Sequence, residues 1–210
     1  MIDRFQGWPE AAQRFFIGLE LDNSKSYFEA NRRTFERAVR APMLALLAEL
    51  EEEFGPGKVF RLNRDLRFSR DKAPYKTNLA AGVGGHHRGG YVSLSARGLF
   101  VGSGRYQMPP SELERYRRAV ADETSGRELE RLVGRLKADG YDVGWEELKV
   151  VPRGYPREHP RAGLLRHRSL IVSRDYGLQP WLGSTEAKEK VAVVWRAAQP
   201  LLKWFASHAD

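Results

Sequence analysis

Cysteine is absent from the 210 residues, which excludes disulfides, thiolate-bound zinc, iron–sulfur clusters and thiol nucleophiles. No apolar run approaches bilayer length. The most apolar stretch, residues 41–50, is followed at once by Glu51, Glu52 and Glu53, so no membrane association is expected. The opening MIDRFQGWPE has neither the basic region nor the apolar region of a secretory signal, and a cytoplasmic protein is expected. Familiar catalytic signatures are missing as well: there is no G-x-S-x-G elbow, Walker A loop or G-x-G-x-x-G. His86 and His87 sit in a glycine-rich stretch with no H-E-x-x-H and no cysteine to complete a ligand set, so no metal site is expected. The sequence identifies no cofactor.

What is present divides into helical and strand-like blocks. Pro9 can open a helix through Phe15, Phe16 and Leu19, and Ser26 with Glu29 forms a capping box for a second. Pro42 suits the first position of a third helix, whose apolar face is Met43, Leu47, Leu50 and Phe54, with Gly55-Pro56-Gly57 as its end. Alternation over residues 91–95, then Leu99, Phe100 and Val101 after Arg97-Gly98, predicts a β-hairpin. Capping boxes at Ser111/Glu114 and Ser125/Glu128 precede two further helices, the second stopped by Gly140. Val191, Val194, Trp195, Ala198, Leu202 and Phe205 mark a C-terminal amphipathic helix that Pro200 is expected to kink or break. Segregated helices and strands predict an α+β fold: N-terminal helices, a central antiparallel sheet, then helices in the C-terminal half. One domain spanning 1–210 is expected, since 41% apolar content supplies a single substantial core.

Charge is the most informative feature. Residues 58–76 carry seven Lys and Arg against Asp65 and Asp71, and residues 152–168 carry five Arg against Glu158. The rest of the chain holds 23 basic and 24 acidic residues, so the whole excess of +8 is confined to these two segments. Such concentration points to something anionic, and a basic cleft built from both segments is the expectation.

Within the first segment, Arg61, Arg64, Arg67 and Arg70 recur every third residue, but Asn63, Ser69 and Pro74 oppose a helix. The pattern predicts a strand over 59–62, a turn at Asn63-Arg64-Asp65, a short strand over 66–68 and a loop to Thr77. Asp65 is the candidate organiser, orienting one flanking guanidinium through a bidentate pair. Arg64, Arg67, Lys72 and Lys76 are candidate ligand-binding residues, joined from the second segment by Arg153. Tyr75 and His159 are candidate acid–base groups. An Asp65→Ala change is expected to cost more stability than Lys76→Ala, by leaving two guanidinium groups uncompensated. In the second segment Pro152, Pro156 and Pro160 are each followed by Arg, and the prolines with Gly154 predict an irregular loop. The competing account of the first segment is a structural salt-bridge network; for the second it is that His159 caps or packs the loop.

The segments NSKSYFEANR (23–32), NRDLRFSRDKAPYKT (63–77), GYVSLSARGLFVGSGRYQ (90–107) and PRGYPREHPRAGLLRHRSL (152–170) resemble domain-of-unknown-function family 2461. The combination of Arg-Asp, Arg-Phe-Ser and Pro-Tyr-Lys-Thr in the second is the most specific. Asp22, Tyr27 and Arg168 depart mildly from the family pattern. The resemblance implies a soluble single-domain protein and carries over no catalytic residue.

Three functional classes follow. The first is a binding or catalytic pocket for a small anionic ligand, phosphorylated ligands included. The second is a nucleic-acid surface, with Phe60, Phe68 and Tyr75 interleaved among Arg. The third is an interaction module for an acidic protein.

Overall fold

The computed structural model describes residues 4–65, 67, 72–85 and 88–210. Among the described residues seven α-helices and six strands follow the α+β plan, and the strands join one sheet in the order β1-β2-β3-β4-β6-β5. Two compact units divide the chain: Met1–Gly84 with Gly90–Val101 and Asp175–Val193, and Gly85–Gly89 with Gly102–Arg174 and Val194–Asp210.

In the first unit, helix α1 (Glu10–Leu21) buries Ala12, Phe15, Phe16 and Leu19, the one-face spacing expected of it. Helix α2 (Lys25–Thr34) corrects the predicted cap. Ser24, not Ser26, holds the extended backbone of an N-cap, and its hydroxyl accepts from Tyr27 N at 3.1 Å. Pro42 stands in the first turn of the third helix, one residue after its start, but the helix is not a fresh one. The chain runs from α2 through a π-helical turn (Phe35–Arg40) directly into α3 (Ala41–Phe54). At the junction Ala41 N donates to Glu36 O, five residues back. Proline has no N–H to give the carbonyl four residues earlier, and a single wide turn just before it absorbs that mismatch without ending the helix. Gly55, at φ 82°, ends α3 as expected.

Strand β1 (Gly57–Val59) pairs antiparallel with β2 (Asn78–Val83), which pairs antiparallel with β3 (Arg88–Ser95). Strand β4 (Gly98–Arg105) returns from β3 through the turn at Ala96-Arg97, giving the predicted hairpin. Leu79, Ala81, Val83, Val92, Leu94, Leu99 and Val101 are all buried. Their period of two is what one covered sheet face requires.

In the second unit, α4 (Pro110–Ala121) starts at Pro109 with no side-chain cap, so Ser111 does not have the predicted role. Helix α5 (Glu123–Ala138) is capped by Asp122, whose Oδ1 accepts from Thr124 N and Ser125 N at 3.0 and 2.9 Å. Ser125, predicted as that cap, instead donates to Ala119 O. Strand β5 (Asp142–Gly144) pairs antiparallel with β6 (Leu170–Gly177). Between them lies α6 (Ala162–Arg166), a short helix inside the segment predicted to be wholly irregular. Arg105 lies buried under the ring of Phe205, its guanidinium 5.2 Å from the centroid, paired with Glu112 at 2.9 Å and with Asp210.

Helix α7 (Glu186–His208) passes through Pro200 unbroken. Proline in a helix interior costs about 3 kcal/mol. Each large apolar side chain buried nearby returns about 1.5–3 kcal/mol, and Trp195, Leu201, Trp204 and Phe205 are all essentially inaccessible. Packing therefore outweighs the local penalty, which is why the predicted break is absent.

Candidate functional site

The basic loop of the first unit is closed by an antiparallel bridge between Asn63 and Tyr75. Arg64 N donates to Pro74 O at 2.8 Å, and Lys76 N donates to Leu62 O at 2.9 Å. Asn63 thus belongs to a bridge and not to the predicted turn. Named strand structure ends at Val59, although Phe60 N still donates to Ala80 O. Of the predicted strand over 66–68, Leu66 and Phe68 lie outside the described residues and Arg67 is a turn residue; Arg70, Asp71, His86 and His87 also lie outside them.

A second fastening comes from far away in sequence. Tyr75 N donates to Asn23 Oδ1 at 3.0 Å, and Asn23 Nδ2 donates to Tyr75 O at 3.2 Å, so a side-chain amide pairs with the backbone as a neighbouring strand would. Asn23 immediately precedes the Ser24 cap, which ties the loop to the start of α2. The Tyr75 ring is buried and stacks on Phe28 with centroids 4.6 Å apart. Arg32 covers the same Phe28 ring at 5.1 Å. Tyr75, a sequence candidate for acid–base chemistry, is thus a core ring that anchors the loop.

Around this anchor the cations gather. Lys76 Nζ donates to Arg61 O at 3.2 Å, and Arg64 Nη2 reaches Tyr75 O at 3.4 Å. Burial lowers the pKa of Lys76, and the guanidinium groups of Arg61 and Arg64 lower it further. Asp65 holds Arg67 in a bidentate pair, with Nε to Oδ1 at 3.0 Å and Nη2 to Oδ2 at 2.9 Å, and stands 3.7 Å from Arg61. That geometry holds the Asp65 carboxyl below its ordinary pKa, chiefly through the Arg67 side chain. The Arg67 side chain is 78% exposed, however. Losing a surface partner does not strand a buried charge, so the sequence-based ranking of Asp65→Ala over Lys76→Ala loses its physical basis. Thermal midpoints of both variants are expected to lie close to the parent's, as a melting comparison would show. Lys72 is exposed on the same loop.

The second basic segment lies in the other unit, and its arginines differ sharply. Arg153 and Arg157 are exposed. Arg161, whose side chain is 4% exposed, donates Nε to Val120 O at 2.7 Å and Nη2 to Ala121 O, Asp122 O and Glu123 Oε2, each at 3.2 Å. It closes the carbonyl end of α4, where helix carbonyls lack intrahelical donors. His159 Nδ1 accepts from Arg161 N at 3.0 Å, and His159 O accepts from Ala162 N, so this histidine shapes the entry to α6. Arg161 is thus a structural arginine, while the first unit carries Arg64, Arg67, Lys72 and Lys76 on one fastened loop in which Asp65 already pairs with Arg67.

Asn23 and Arg61 are the residues that sequence reasoning did not single out for the site. Arg61 was visible as a member of the arginine ladder. Asn23 was marked only as the first residue of NSKSYFEANR, one of the segments that carry the family resemblance. Among the described residues no group of three His, Asp or Glu side chains is arranged to hold a metal ion. No helix among them is long and apolar enough to cross a membrane.

The family described as conserved hypothetical protein (DUF2461) matches the chain over residues 11–204. No curated protein matches it.

Proposed function

The chain belongs to this conserved hypothetical family, and from that premise we propose that the fastened basic loop of the first unit binds a small anionic, phosphorylated ligand in the cytoplasm. The observation that carries the reading is the setting of Lys76. Its half-buried ammonium rests on the Arg61 carbonyl beside two guanidinium groups, while the neighbouring Asp65 carboxylate is taken up by Arg67. An arriving oxyanion would offset that concentrated positive charge through charge-assisted hydrogen bonds. Arg64 and Arg61 would supply planar donors and Lys76 a point charge. Arg67 and Lys72 lie on the same loop and complete the binding set. Arg153 belongs to the other unit and is not part of the proposed site.

The sign of the lysine's pKa shift gives an independent expectation. A folded-state pKa below the unfolded value means that the folded chain holds this proton less tightly than the unfolded chain does. The charge therefore opposes folding wherever Lys76 is protonated in both states, and the opposition fades as pH rises through the folded pKa. Lys76→Met should accordingly melt at or above the parent's temperature near neutral pH while losing anion binding.

The test is a melting screen against inorganic phosphate, pyrophosphate and sugar phosphates at low salt and at about 0.3 M salt, where screening shortens to roughly 6 Å. Stabilisation by one small anion that survives the salt and is lost in Lys76→Met supports the reading. A response that every polyanion gives and salt abolishes, or no response at all, overturns it.

A further inference from the structure

The sheet of the first unit carries an aromatic surface next to this loop, and no step of the anion reading uses it. Lys58 on β1 is opposite Gly82 on β2, and Gly82 is opposite Tyr91 on β3, so Lys58 and Tyr91 project from one face across a residue with no side chain. Phe60, two residues beyond Lys58, lies on that face by the period of the strand. Its ring rests across Gly82, where an added Cβ would come within 3.3 Å of it. Phe60 and Tyr91 are nearly parallel, 28° apart with centroids at 6.4 Å, and Tyr91 meets Phe100 of β4 edge-on at 6.2 Å. Phe60 is 40% exposed although it is a large apolar side chain.

Of the three rings named in the interleaving argument, Tyr75 is buried on Phe28 and Phe68 lies outside the described residues. Phe60 is exposed, and its neighbours Tyr91 and Phe100 come from β3 and β4. Positive charge adjoins it on both sides in sequence: Lys58 is exposed, the Arg61 side chain is 72% exposed, and Lys76 reaches the Arg61 carbonyl.

We infer that this surface binds single-stranded nucleic acid, with a base stacked on Phe60 and the adjoining phosphates held by Lys58, Arg61 and Lys76. This rests on the anion reading for its cations and extends the ligand from a small anion to a strand. An aromatic ring attracts the π-face of any base, and flanking cations follow the backbone, which together form a sequence-tolerant strand site. On the same face Asn78 Nδ2 donates to Ser93 Oγ at 2.7 Å, so these two side chains are engaged with each other. Three neighbouring rings, one of them exposed, suit a strand better than a single free nucleotide.

Fluorescence anisotropy with the full chain tests this, using a labelled thymidine 12-mer and an abasic strand with the same number of phosphates, at about 0.1 M salt. The thymidine strand should bind about tenfold more tightly, as one stacked base provides. Phe60→Ala should abolish that difference, Phe60→Trp should keep it, and Lys76→Met should weaken both strands alike. Equal binding of the two strands overturns the inference and leaves the anion site standing. So does competition by free thymidine monophosphate, at equal base concentration, as effective as that of the strand. If neither strand binds while pyrophosphate still raises the melting temperature, only the nucleic-acid inference fails. If phosphate, pyrophosphate and the sugar phosphates are all silent too, both fail.

Discussion

Replacing Arg161 with alanine is expected to remove about 3 kcal/mol of stability and lower the melting temperature by roughly 6–12 °C for a chain of this size. The cost does not arise mainly from the lost ion pair, because Glu123 is 64% exposed and returns to water when Arg161 is gone. It arises at the end of α4. Three successive carbonyls, of Val120, Ala121 and Asp122, accept from this one guanidinium. The Val120 bond is wholly buried, and an orphaned buried acceptor costs about 1–3 kcal/mol. Arg161→Lys keeps the charge but not the planar fork, so it should fall between parent and alanine. A midpoint within about 2 °C of the parent's for Arg161→Ala would show that water replaces the guanidinium at little cost. Gly126 belongs to the same device. A Cβ there would collide with the Val120 carbonyl and come within 2.5 Å of Arg161 Nε. The costs of Gly126→Ala and Arg161→Ala should therefore be less than additive in the double variant.

Gly98→Ala is expected to be at least as damaging, at about 3–5 kcal/mol, and is best read as a loss of folded protein on expression and a collapsed melting temperature. Two causes combine. At φ 113° the backbone is in a region that residues with a side chain rarely adopt, and an added Cβ would collide with the carbonyl of Gly177. Both obstacles are backbone, so no rotamer change relieves them. The hairpin turn would have to move away from the end of β6. A well-folded variant with the parent's midpoint would show that this segment can shift freely.

Much of the architecture was legible because it repeats locally. The stripe on α1 and the alternation across the hairpin are each written within a dozen residues, and packing obeys the same period. Helix starts were less legible. Ser26, Ser111 and Ser125 each stand three residues before a glutamate, but capping also requires an extended backbone at the cap, and the chain provides that at Ser24 and Asp122. The π-helical turn left no trace in composition, since it shifts a hydrogen bond by one residue and exchanges no side chain. For the site, the arginine ladder was conspicuous and the Asp65 pair followed from proximity. What holds the loop was not: the tie between Asn23 and Tyr75 spans 52 positions, and no local pattern encodes a contact at that separation. Arg153, Arg157 and Arg161 look alike in sequence, each following a proline. Burial alone distinguishes the last, and burial is a property of the folded chain.

That long tie also gives the loop a chemical age. Its holding group is a primary amide, among the thermally labile side chains, and hydrolysis would turn Asn23 into an aspartate. Oδ1 could still accept from the Tyr75 amide, but the nitrogen now donating to the Tyr75 carbonyl would become a second oxygen facing it. A bond would become a repulsion, and a negative charge would arrive beside the cations of the loop. Old preparations of the protein would then lose the loop's fastening before they lose their fold, with the cause written in their mass.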